Sequence, residues 1–140
     1  MKCSQINERL FIGSKEDQPF SKFTCVLNLA SDLYVLTHEK LEYAQIGLID
    51  GPGNHVGTLA AAVLVLRQLL ERHETVMLVC HGGTGRSGLV AALYLTVRYE
   101  TKFEEALVIV TGKRPTAKPN DDLLAQVPLL IPLLQTLFKE

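Results

Sequence analysis

Between Thr75 and Arg98 the chain reads TVMLVCHGGTGRSGLVAALYLTVR. The run VMLVC is apolar without alternation, which suits a central strand covered on both faces. From Ser87 to Arg98 the Ala, Leu and Val content and the spacing of the polar residues turn helical. A strand buried on both sides that feeds a glycine-rich loop and then a buried helix needs layers above and below a sheet.

The rest of the chain agrees with that demand. RLFIG, FTCVLNLA and YAQIGLI read as short strands, and DGPGN, Asp50 to Asn54, as a loop. VGTLAAAVLVLRQLLERH is too long for a strand and predicts a helix buried over most of its girth. A second helix is expected from Lys102 to near Gly112, and Asn120 or Asp121 is placed to cap a last one. The reading is a single α/β domain over residues 1–140, with a central, mostly parallel sheet flanked by helices. In such sheets ligands sit beyond the carboxyl ends of the strands, where Cys80 stands.

Five residues separate Cys80 from Arg86. That spacing lets His81, Gly82, Gly83, Thr84 and Gly85 fold into a ring of inward-pointing N–H groups that takes a phosphate or similar oxyanion. Gly82, Gly83 and Gly85 permit backbone that other residues resist. The helix opening near Arg86 adds its positive end, and the guanidinium fork can bind two phosphate oxygens. Such a field favours the thiolate, a nucleophile. A Cys-x5-Arg spacing alone arises in roughly one such chain in seven, and with Gly83, Ser87 and the strand-to-helix context in about one in a thousand. An inert buried cysteine before a turn is the bland alternative.

CHGGTGRSG resembles the Cys-x-x-Gly-x-x-Arg-Ser/Thr signature of the cysteine-dependent protein tyrosine and dual-specificity phosphatases. LFIGS, VLNLA, IDGPGN and RPTAKPND are similar to the layout of the small, atypical dual-specificity members, so the resemblance spans most of the chain. It implies the phosphatase fold and hydrolysis of phosphate monoesters through a cysteinyl-phosphate, without metal or other cofactor. The implied substrates are proteins bearing phosphotyrosine, phosphoserine or phosphothreonine. The resemblance makes Cys80 the nucleophile, Arg86 the phosphate clamp and Asp50 the general acid that protonates the leaving oxygen. A turn aspartate bonding its own backbone is the alternative for Asp50.

Ser87 is expected either to donate to the Cys80 sulfur or to be an ordinary first-turn serine. Asn28 and Asn120 match positions that buttress the loop in the family, and equally suit a strand-end residue and a helix cap. His81 falls at the loop rim, near substrate or simply solvated. The family usually carries histidine immediately before the cysteine, where this chain has Val79. That departure supports a second reading, a catalytically weak module that binds phosphorylated ligands; a phosphatase for non-protein phosphates is a third. The absence of lysine between Cys80 and Arg86 disfavours phosphoinositide-cleaving relatives. GRSGL fails as an esterase nucleophile elbow because Leu89 stands where glycine is needed.

Composition limits the remaining classes. A net charge of −1 with 47% hydrophobic residues suggests neither disorder nor a basic nucleic-acid surface. The three cysteines, Cys3, Cys25 and Cys80, form no disulfide framework, and Lys2 leads straight into the domain without a signal-like segment. A monomer in the reducing cytoplasm is expected. His38, His55 and His73 show no ligand spacing with a cysteine, so no metal site is inferred. Val56–Leu66 and Ser87–Val97 are too short to span a bilayer. The run Leu123 to Phe138 contains Pro128 and Pro132, which predicts a kinked or restarted packing helix, with a membrane or partner interface as the alternative.

Overall fold

The computed structural model describes residues 3–18, 20–34, 37–81 and 85–139. Its strands are β1 (Ser4–Gln5), β2 (Leu10–Gly13), β3 (Cys25–Ala30), β4 (Glu42–Leu48) and β5 (Val76–Val79). They form one sheet in the order β1-β2-β5-β3-β4. β2, β5, β3 and β4 are mutually parallel, and β1 joins the β2 edge antiparallel. The continuous apolar stretch therefore occupies the centre, and every residue of β5 and β3 is buried. Gly13 and Asn28 flank Val79 in register, which aligns the carboxyl ends of three neighbouring strands. The short β1 is absent from the sequence reading. Two residues carry no hydrophobic period; the pairing comes from a turn in which Asn7 Oδ1 accepts from the Arg9 and Leu10 amides, both at 2.8 Å.

The helices are α1 (Val56–Arg72), α2 (Gly85–Arg98), α3 (Phe103–Lys113), α4 (Asp121–Leu124) and α5 (Val127–Phe138). α1 buries Leu59, Leu66 and Leu70 with Val63 and two alanines between them, the spacing of one helix face. Its N-cap, His55, makes no side-chain capping bond. That omission costs about 1 kcal/mol, less than the roughly 1.5–3 kcal/mol contributed by each fully buried leucine. α2 is buried from Gly85 to Val97, the pattern of a central helix rather than an amphipathic surface one. α1 and α2 touch each other and both touch β3 and β5. The buried residues form one contiguous core.

α3 ends at Lys113, beside Gly112 as expected. The C-terminal run restarts, as its prolines predict. Asn120 caps the short α4, and α5 follows with Pro128 in its first turn, where the missing N–H costs nothing. Pro132 lies inside α5. Leu130 and Leu134 pack inward while Leu129 and Leu133 are exposed. None of the described helices is long and apolar enough to cross a membrane.

Candidate active site

Three chain segments leave the sheet side by side. Cys80 follows the last residue of β5 directly, Asp32 lies two residues beyond β3, and Asp50 two residues beyond β4. Cys80 is fully buried and its thiol is not in a disulfide. Gly82, Gly83 and Thr84, expected to supply the anion-binding amides, lie outside the described residues. His81 is exposed at the start of the loop, and Gly85 and Arg86 open α2.

Arg86 is the largest fully buried side chain, 2% exposed. An uncompensated guanidinium at such depth would be costly, so its partners decide what the site can do. Nη1 donates to Asp32 Oδ1 at 2.9 Å and to the Leu48 carbonyl at 3.0 Å. Nε is buried without a partner among the described residues. One end of the fork is thus anchored to the ends of β3 and β4, while the Nε edge keeps an unspent donor for an anion. The Arg86 hydrogen bond holds the Asp32 carboxyl below the usual carboxylate range, with a smaller contribution from the charge of His81. Asp32 is absent from the sequence assignment of the site. A faint signal exists in hindsight: it stands two positions beyond its strand, as Asp50 does beyond the next one.

The Asp50 loop is held by a residue the sequence analysis left unassigned. Asn54 Oδ1 accepts from the Ile49 amide at 2.8 Å, and Asn54 Nδ2 donates to the Ile49 carbonyl at 2.7 Å and the Gly51 carbonyl at 3.2 Å. Gly53, with φ at 101°, takes the left-handed backbone that closes this turn. The turn's backbone bonds come from Asn54. Asp50 instead accepts from Asn120 Nδ2 at 3.0 Å, across 70 positions of sequence, and is exposed to solvent. Asn120 Oδ1 accepts from the Leu123 amide at 2.9 Å, so one side chain caps α4 and steadies Asp50. Asn120 is thus the helix cap, and its other bond goes to the Asp50 loop rather than to the cysteine loop it was expected to buttress.

Asn120 is delivered by the segment RPTAKPN, which lies against the start of α2. A Cβ on Gly88 would fall 1.6 Å from the Ala117 carbonyl oxygen, and one on Gly85 3.2 Å from Pro119 Cα. Gly88 is thus required for close backbone approach, a role the loop motif alone does not reveal. Asn28 is fully buried and braces the end of β3. Its Oδ1 accepts from the Ala30 amide at 2.9 Å, and its Nδ2 donates to the Leu33 carbonyl at 3.0 Å and to Tyr43 Oη at 3.1 Å. Gln45 extends the network from Tyr43 Oη to the Ala30 carbonyl. These bonds shape the turn that presents Asp32. Ser87 Oγ is buried without a hydrogen-bond partner among the described residues, so of its two expected roles the bond to the Cys80 sulfur is not formed here. Val79, where the resemblance leads one to look for histidine, is wholly buried in β5.

Buried Cys80, a buried arginine with a spare donor and a carboxylic acid on a separate loop can together bind an oxyanion, attack it and protonate a departing oxygen. Residues 10–130 match the family model described as the dual specificity phosphatase catalytic domain. The human protein phosphatase Slingshot homolog 3 is 26% identical over 133 residues, covering 90% of this chain but 20% of that protein. The chain thus spans about a fifth of the length of this curated relative. A mouse putative dual specificity phosphatase crystallised with zinc tungstate superposes with a TM-score of 0.86 at 19% identity, covering 97% of this chain and 90% of that one. Human DUSP28 gives 0.82 at 18% identity, with 96% of each chain covered.

Proposed function

The chain belongs to the dual specificity phosphatase catalytic-domain family, and from that premise we propose that it hydrolyses phosphate monoesters on proteins, with Cys80, Arg86 and Asp50 as its reacting trio. The observation that carries this reading is the buried Arg86, six positions after Cys80 in sequence, anchored through Nη1 with Nε unpartnered among the described residues. A phosphoryl oxygen would complete that donor set and turn the phosphorus toward the sulfur. The Cys80 thiolate attacks phosphorus as the bond to the leaving oxygen breaks, and the Asp50 carboxylic acid gives that oxygen its proton. The Asp50 carboxylate then accepts a proton from water attacking the phosphocysteine, and the Cys80 thiolate departs. Ser87 Oγ, without a partner among the described residues, donates to the departing sulfur. The substrates are phosphotyrosine and phosphoserine or phosphothreonine proteins, met by a monomer in the cytoplasm, with no role for nucleic acid or membrane.

Val79 favours a second reading, a module that retains phospho-ligand binding but turns over weakly. The two separate in one assay. Phosphate release from an aryl phosphate and from phosphotyrosine peptides is expected to fall by at least about 10³-fold in Cys80→Ser, and vanadate is expected to inhibit the parent chain. Equal, near-zero rates in both chains would leave the binding module as the function.

A further inference from the structure

The second buried cysteine lies at the opposite end of the sheet. Cys25 opens β3 and stands in register with Glu42, the first residue of β4. His73 follows α1 immediately and brings its ring to both. One ligand atom from each of these three residues lies within 4.8 Å of the others. Glu42 Oε1 is 2.6 Å from His73 Nε2, and Glu42 Oε2 pairs with Arg72 Nη2 at 2.5 Å. His73 Nδ1 is 3.1 Å from Thr24 Oγ1. Arg9 secures the backbone that carries the imidazole, donating to the carbonyls of Leu70, His73 and Glu74.

We infer that Cys25, Glu42 and His73 form a zinc site, independent of the catalytic loop. The donor set selects the ion: a thiolate, an imidazole and one carboxylate oxygen suit zinc and not magnesium or calcium, which take oxygen ligands. With metal–ligand distances of about 2.0–2.3 Å, ligand atoms in a tetrahedral site lie roughly 3.3–3.8 Å apart. Side-chain shifts of about 1 Å reach that arrangement from the observed one. The outer partners already choose the ligand atoms. Thr24 occupies Nδ1 and leaves Nε2 for the metal, and Arg72 holds Oε2 and leaves Oε1. The end of α1 adds carbonyl dipoles that favour a cation. On binding, the sulfur–zinc bond replaces the Cys25 sulfur–hydrogen bond, and that proton and the one between Nε2 and Oε1 pass to solvent. Glu42 is 39% exposed, so water takes the fourth position.

Cobalt(II) titration of the whole chain tests this. One equivalent is expected to produce a thiolate-to-cobalt charge-transfer band and the visible bands of a tetrahedral site, both displaced by zinc. Cys80→Ser is expected to keep the charge-transfer band and Cys25→Ser to lose it. Cys25→Ser puts a hydroxyl into the core, so His73→Gln repeats the test from a less buried position and is expected to weaken zinc binding at least 10-fold. Absence of the band in the parent chain, its loss in Cys80→Ser with retention in Cys25→Ser, or unchanged zinc affinity in His73→Gln would each overturn the site.

Discussion

Cys80 and Cys25 are both buried, yet they stand at opposite ends of one sheet in opposite electrical surroundings. At the carboxyl ends of the strands, Cys80 precedes the segment that leads into α2, whose buried Arg86 keeps one donor unpartnered among the described residues. At the amino ends, Cys25 meets the end of α1 and the Glu42 carboxylate, whose oxygens are already paired with Arg72 and His73. Burial, reinforced by the Glu42 charge, pushes the Cys25 thiol up to about 12. It is therefore a poor nucleophile near neutral pH, and a metal that displaces its proton is the reagent suited to engage it. Residue type does not decide what a cysteine does; the polarity of the helix end beside it and the charge across from it do.

Four substitutions can break or sharpen this contrast. If the Cys80 end carries acid catalysis, Asp50→Asn should slow turnover of phosphotyrosine peptides by roughly 10²–10³-fold and activated aryl phosphates less; equal losses on both would remove Asp50 from the role. If that end owes its shape to backbone contact, Gly88→Ala should destabilise the fold by about 3 kcal/mol in urea titration. A free helical position would instead gain about 1 kcal/mol from alanine, so the sign of the change settles the matter.

Asp32→Asn should lower kcat/KM by about 10-fold, because Arg86 loses its charged anchor but keeps the Leu48 carbonyl. The same substitution carries a pH test. The Asp32 carboxyl is held low in the folded chain, so its stabilisation is complete above about 3.9 and is lost as pH falls through its depressed value. Asp32 is 59% exposed, which limits the effect to under about 1 kcal/mol. Thermal unfolding below pH 4 should therefore fall less steeply in the variant. At the Cys25 end, Arg72→Gln breaks an ion pair whose side chains are 48% and 39% exposed and should leave the urea midpoint almost unchanged. A larger loss would mean that this end is more than a solvated charge cluster.

Long periodic elements were legible because their apolar spacing is local. The central strand, the two helices that flank it in sequence and the restart at Pro128 all follow from residues within one element. β1 was not, since Ser4–Gln5 has no pattern and pairs through a turn built by Asn7. Asp32 escaped notice because nothing in LASDLY marks a residue that reaches Arg86 across 54 positions. Asn54 was read only as part of a loop, although its side chain makes that loop's bonds. His73 was set aside for lack of ligand spacing to a cysteine, and the end of α1 then put it beside Cys25.

The sequence by itself determined the central strand and the helix after it, and with them where Cys80 and Arg86 stand along the chain, because each element carries its own apolar pattern. Tertiary structure decided which other groups face them. The parallel register of β3, β4 and β5 brings Asp32, Asp50 and Cys80 to one end and leaves Cys25 and Glu42 at the other. Close packing of residues 117–120 on α2 then aims Asn120 at Asp50. Strand pairing and backbone contact depend on the relative placement of distant segments, and no local spacing encodes that placement.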